Sequence, residues 1–229
     1  MTMTRTEFLK KMGTGTAALT MAPHLLDPAA LFAAQSAGDK PNIVFIYCDD
    51  LGWADLPAYG HQPVRAHGPW TVRGDLQMPN IDRMAAEGTL YTQFYVNSAV
   101  CSPSRTGIMT GQFPSRLGIH DYIASSEMNA ERGMPDFVDP AGPIVTRLLK
   151  QQGYATGHFG KWHLGRSGDQ APTHAEYGID RYERCLDGPG GRAGSNATIA
   201  DAAIDFIEAH REGPFFVNAW LFDPHAPLH

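Results

Sequence analysis

The chain has 229 residues, of which 43% are hydrophobic and 18% charged, with a formal net charge of −6, enough for one ordinary globular core. The mild acidity and the lack of a basic stripe argue against a nucleic-acid partner. Three cysteines, Cys48, Cys101 and Cys185, are too few and too scattered for a disulfide framework or a zinc site.

The first forty residues differ in character from the rest. Arg5, Lys10 and Lys11 precede a Gly/Ala/Thr-rich apolar run that ends in Ala33-Ala34-Gln35-Ser36-Ala37, small residues suited to a signal peptidase. Residues 1–37 therefore read as an export signal, which places the mature protein in a periplasm or outside the cell. Residues 4–10 resemble a twin-arginine signal in which Thr6 stands at the second arginine. Pro23 interrupts the run, which is too short for a stable membrane span.

Residues 42–48 (NIVFIYC) form a near-continuous apolar run, the pattern of a central strand covered on both faces. It ends in Asp49-Asp50-Leu51-Gly52. Adjacent carboxylates at the carboxyl end of a parallel strand lie where open α/β sheets place ligands, and a hard divalent cation would relieve their repulsion. Taken alone, such a pair also suits a simple turn. Residues 61–77 form an irregular segment with Arg65, His67 and Arg73, either a solvated loop or one that faces a substrate. A short helix follows over 80–88, with Ile81, Met84 and Ala85 at helical spacing and Gly88 as its stop. Residues 90–96 then read as a second strand leading to Cys101.

Residues 99–111 (AVCSPSRTGIMTG) predict a strand or loop entering a helix, with Ser102 as N-cap, Pro103 in the first turn and Gly111 as the stop. Cys101 then sits at the positive end of the helix with Arg105 one turn on, a setting that favours an anionic group. Another helix is expected over 143–152, with Ile144 and Leu148 inward and Gly153 after it, followed by a strand over 154–159. Gly160-Lys161-Trp162-His163-Leu164-Gly165 closes that strand. Residues two apart on extended chain point the same way, so Lys161 and His163 can face one pocket, although a surface turn has the same composition.

A Gly-rich loop runs from Tyr177 to Gly194, an amphipathic helix covers 196–210, and residues 215–222 (FFVNAWLF) form another buried strand. Asp223-Pro224-His225-Ala226-Pro227 follows it. Strands alternating with helices predict an α/β fold with a mostly parallel sheet sandwiched by helices.

Three segments together carry a family resemblance. Cys101-Ser102-Pro103-Ser104-Arg105, followed by a Thr-Gly stop, resembles the signature of the type I, formylglycine-dependent, arylsulfatase-like sulfatases of the alkaline phosphatase superfamily. Residues 160–165 are similar to that family's Gly-Lys-x-His-Leu-Gly, and residues 224–227 to its Pro-His-x-Pro. The resemblance spans residues 41–229 and identifies 38–229 as the N-terminal part of a sulfatase catalytic domain.

It implies an alkaline-phosphatase-like core in which a formylglycine-generating enzyme oxidises Cys101 to formylglycine. One hydroxyl of the hydrated aldehyde attacks sulfur, and the other drives release of sulfate. Asp49 and Asp50, with the group derived from Cys101, would bind Ca2+ or Mg2+. Arg105 and Lys161 would stabilise the diol and the sulfate charge, His163 would accept a proton, and His225 would bind sulfate or protonate the leaving oxygen. Lys161 and His225 would thus also bind substrate, while Ser102 and Thr106 are structural. A sulfated carbohydrate is the expected substrate, with other sulfate esters also open. A further Asp-Asn metal pair, a second lysine and a smaller C-terminal domain, which the resemblance also implies, are not found, so a truncated chain of uncertain activity is expected. A phosphate or phosphonate ester hydrolase of the same superfamily and a non-catalytic binding fragment are the alternatives.

Overall fold

The computed structural model describes residues 40–59, 77–165, 171–185 and 195–225. The expected export signal, nearly all of the 61–77 segment, the Gly-rich loop from residue 186 onward and residues 226–227 lie outside the described residues. Residues Asn42–His229 belong to one compact unit.

Four strands form, β1 (Ile43–Asp49), β2 (Ala155–Gly160), β3 (Arg181–Glu183) and β4 (Phe215–Pro224), and β3 lies within the segment expected to be a Gly-rich loop. They pair in the order β1-β4-β2-β3, and every pair is parallel. Among the described residues the helices are α1 (Pro79–Glu87), α2 (Cys101–Thr110), α3 (Ser126–Glu131), α4 (Val145–Gln151) and α5 (Ser195–Ala209).

The alternation of side chains along β4 divides the core in two. Phe215, Val217 and Ala219 pack with Phe159 of β2 against Ile199, Ala202, Ala203 and Phe206 of α5. Trp220 belongs to the opposite layer, with Met109 of α2, Ile144, Leu164, Tyr177 and Ile179. Period-2 alternation on β4 and the 3.6-residue period of α5 thus meet in one layer, the arrangement of helices on both faces of a parallel sheet. Burying a side chain such as Phe206 contributes about 1.5–3 kcal/mol by area.

Several expectations are corrected. Among the described residues β1 pairs only with β4, so it stands at the edge of the four-stranded sheet they form. Phe45 and Tyr47 pack onto Trp220, while Val44 and Ile46 point the other way and stay half exposed. Residues 90–96 form no strand; they run as turn and irregular chain with Tyr91, Phe94 and Tyr95 exposed. Aromatic content resembles a strand, but a strand needs a neighbouring ladder, and none of the described strands lies alongside. Helix α1 forms, yet it buries none of its residues, Ile81 and Met84 included. In α4 the inward residues are Ile144, now the N-cap, and Thr146, whose hydroxyl donates to the Tyr177 carbonyl at 2.5 Å; Leu148 faces outward.

Two glycines are required by close approach. A Cβ on Gly160, at φ +101°, would lie 2.0 Å from the Trp220 carbonyl oxygen, so β2 leaves the sheet through a residue without a side chain. A Cβ on Gly178, at φ +78°, would lie 2.4 Å from the Arg147 Cα, where the chain after Tyr177 passes α4.

Candidate active site

Because all four strands run the same way, their carboxyl ends lie at one edge of the sheet. β1 delivers Asp49 and Asp50 there, β2 delivers Lys161 and His163, and β4 delivers His225. The first residue of α2, Cys101, joins Lys161, His163 and His225 on the wall of a cavity of about 1060 Å³ at this edge.

A buried carboxylate organises the floor behind that wall. Asp49 pairs through Oδ1 with Arg105 Nη2 at 3.3 Å and through Oδ2 with the Lys161 ammonium. Arg105 is fully buried and does not line the cavity; it lies over Tyr47 and Trp220, 5.1 and 4.9 Å from the ring centroids. Burial lowers its pKa, and the Asp49 carboxylate opposes that effect by favouring the cation. Removing one partner of such a group leaves a buried charge, at a cost of about 3–5 kcal/mol.

Arg105 Nη1 also donates to the Lys161 carbonyl at 3.2 Å. His158, fully buried on β2, places Nε2 3.3 Å from the same oxygen. A carbonyl only accepts, so this nitrogen carries the hydrogen. Nδ1 is then the acceptor for Asn218 Nδ2 at 3.4 Å, and burial pushes the imidazole pKa down to about 3. The sequence reading missed His158 and Asn218 as part of the site. The available signal was a polar residue inside each of two apolar strands, since buried polar groups need partners.

His163 sits at φ +52°, so the segment after β2 is not plainly extended, but Lys161 and His163 still share the cavity. Its Nε2 lies 3.2 Å from the Ile123 carbonyl and therefore carries the hydrogen. Burial, and then the Lys161 charge, lower its pKa to about 4, which keeps the ring neutral near pH 7. Nδ1 is buried without a hydrogen-bond partner.

Ser102 is corrected from cap to brace. Val100 is the N-cap of α2, and the buried Ser102 hydroxyl accepts the Ile123 N–H at 2.9 Å, tying the helix start to the loop that orients His163. Pro103 in the first turn and Gly111 at φ +66° are as expected. Half-buried His225 places Nε2 3.7 Å from Asp50 Oδ2, and Asp50 itself is exposed at φ +65°. Asp49 therefore faces Arg105 and Lys161 while Asp50 faces His225. Among the described residues no three His, Cys, Asp or Glu side chains gather as a metal-binding group. Cys48 and Cys185 are half-buried, Cys185 Sγ donates to the Glu183 carbonyl at 3.5 Å, and burial raises the pKa of Cys48.

Fold and site define an α/β protein with a cation-lined cleft at the carboxyl edge of a parallel sheet. The Sulfatase family matches residues 41–229, and the chain belongs to that family. Bovine (Bos taurus) arylsulfatase A is 36% identical over 153 residues, covering 67% of this chain and 27% of its own. Human (Homo sapiens) N-acetylgalactosamine-6-sulfatase is 32% identical over 236 residues, covering 86% of this chain and 42% of its own. A solved structure described as in complex with its substrate D-glucosamine-2-N,6-O-disulfate superposes with a TM-score of 0.61 at 27% identity, over 82% of this chain and 35% of that one. The phosphonate monoester hydrolase of Agrobacterium radiobacter shares the fold, with a TM-score of 0.53 at 18% identity over 82% of this chain and 42% of its own. The chain spans less than half the length of these relatives.

Proposed function

We propose that this chain carries the nucleophile-bearing part of a sulfuric ester hydrolase that removes sulfate from a carbohydrate sulfate ester, with Cys101 matured to formylglycine by a formylglycine-generating enzyme. The observation that carries the reading is the buried, partnerless Nδ1 of neutral His163, whose side chain shares a cavity wall with Cys101. A nucleophile at residue 101 needs an acceptor of that kind, so the residues fit the modified cysteine. Formylglycine, as its hydrate, supplies a hydroxyl nucleophile in place of a thiol.

The chain's own residues do the rest. Lys161, anchored by Asp49, presents an ammonium to the sulfate oxygens, and the N-terminus of α2 adds its partial positive charge. His163 accepts a proton at Nδ1, while its Nε2–H stays on Ile123. His225 binds the sulfate or protonates the leaving oxygen, and Asp50 lies 3.7 Å from its Nε2. Arg105 acts from behind, holding Asp49 and the Lys161 carbonyl. Asp49 and Asp50 have the oxygen chemistry that suits Ca2+ or Mg2+, but two carboxylates fall short of the six to eight oxygens that Ca2+ takes, so the described residues alone do not make the site.

The carbohydrate substrate rests on the relatives' names: one is a galactosamine sulfatase and another is bound to a glucosamine disulfate. Export rests on residues 1–37; among the described residues no helix is long and apolar enough to cross a membrane. A phosphonate or phosphate ester is the second reading, favoured by the shared fold with the phosphonate monoester hydrolase.

Co-expression with a formylglycine-generating enzyme, intact mass across Cys101, and paired aryl sulfate and aryl phosphonate assays test the proposal. The expected result is the mass loss of replacing CH2SH by CHO, with sulfate turnover exceeding phosphonate turnover. Dominant phosphonate turnover would replace the sulfate reading by the second one, and conversion without any turnover would leave a binding fragment. An unconverted Cys101 would remove it as the nucleophile's precursor.

A further inference from the structure

The cavity extends beyond the cysteine and its histidines to residues that the proposed chemistry does not use. Strand order lays the contributors out along the sheet edge: His225 after β4, Lys161 and His163 after β2, then Tyr182 and Arg184 on and just after β3. Neighbouring strands lie about 4.8 Å apart, so the β3 end is about 10 Å from the β4 end, a span on the scale of a sugar ring with its substituents.

The wall on the β3 side is aromatic and held in place. The rings of His174 and Tyr182 stack at 3.5 Å and 9°, and Trp162 meets His174 edge-on at 5.0 Å and Tyr177 at 5.0 Å. Such rings present an apolar surface with little conformational entropy to lose on binding, while their edges keep polar atoms for hydroxyl groups.

Arg184 supplies the charge. The nearest acid in sequence, Glu183, is engaged by Arg181 through Nε at 2.6 Å and Nη2 at 2.5 Å. Arg184 is exposed, lines the cavity and has no ion pair among the described residues. A guanidinium fork in a cleft matches a carboxylate or sulfate in two-pronged geometry.

We propose that Arg184, with Trp162, His174 and Tyr182, forms a second anion subsite that selects carbohydrate sulfate esters bearing a further anionic group, sulfate or carboxylate, beside the sulfate that is cleaved. The assignment rests on reading the Cys101 end as the sulfate-ester site.

Calorimetric titration of the full chain and of its Arg184→Gln and Arg184→Lys variants tests it, with folding of each variant checked by thermal unfolding. The ligands are glucosamine 6-sulfate, its N,6-disulfate, and a 6-sulfated disaccharide that carries a uronate. The unsubstituted chain is expected to bind a dianionic ligand at least about tenfold more tightly than the monosulfate, because the second anion gains a charge-assisted bond to Arg184. Arg184→Gln should abolish that preference and Arg184→Lys should restore part of it. Whichever dianionic ligand keeps the preference identifies the second group. An equal preference in Arg184→Gln, no preference in the unsubstituted chain, or no binding of any ligand overturns the subsite. Aryl sulfate turnover after Cys101 conversion reports on the reacting end separately. Its absence, with Arg184-dependent selectivity retained, would remove the esterase reading and leave the subsite. Turnover without Arg184 dependence would do the reverse.

Discussion

His158 and His163 are both held neutral by burial, with pKa values near 3 and 4, against about 6.5 in an unfolded chain. Between those values the unfolded chain binds more protons than the folded one, so stability rises with pH. The contribution is complete above pH 6.5 and is lost as pH falls through about 4 for His163 and about 3 for His158. Lowering the pH from 7.5 to 5.0 should therefore cost about 2 kcal/mol for each histidine. Urea unfolding at the two pH values measures the loss, and His158→Gln, which keeps a donor for the Lys161 carbonyl but does not titrate, should remove about half of it. Equal urea midpoints at both pH values would contradict the buried neutral histidines.

At the scale of an element, the exit from β2 sets where the site's cations stand. Gly160 lies against the Trp220 carbonyl, and Lys161 N–H donates to that same oxygen at 2.9 Å. Gly160→Ala adds steric clash to a strained backbone, whereas Gly111→Ala, at φ +66° with nothing within 4 Å of the added Cβ, carries backbone strain alone. Gly111→Ala should cost about 1 kcal/mol and Gly160→Ala about 3 kcal/mol or more in thermal unfolding. Similar losses for the two variants would mean that β2 and β4 can move apart there. The elements themselves were largely legible. Continuous apolar runs marked β1 and β4, and Pro103 and Gly111 bounded α2. Residues 90–96 misled because their aromatics match strand composition, and Leu148 misled because helical spacing marks a face without saying which way it points.

On the scale of the whole molecule, the sheet order leaves apolar surface open. Val44 and Ile46 on the outer face of β1 are 47% and 48% exposed, and Phe94 and Tyr95 are 77% and 81% exposed. An edge strand with exposed β-branched residues offers both a backbone ladder and an apolar face to another chain. This chain should self-associate in a concentration-dependent way in sedimentation velocity, and Val44→Lys with Ile46→Lys should shift it toward monomer. A monomer at every concentration tested would show that this face is not adhesive.

What the sequence by itself determined was local chemistry: apolar periodicity for the strands and helices, Cys101 at the start of α2, and the Lys161–His163 pair after a strand. These depend on neighbours within a few residues, so they can be read along the chain. Only the tertiary structure decided that Asp49 pairs with Arg105 and Lys161, that Ser102 braces Ile123, and that Asn218 and His158 support the Lys161 carbonyl. Those partners are separated by between 3 and 112 positions, and the most distant of them meet because β4 inserts between β1 and β2. The physical reason is that a buried polar group takes whichever partner the packing brings within hydrogen-bonding distance, and packing order is a property of the assembled sheet.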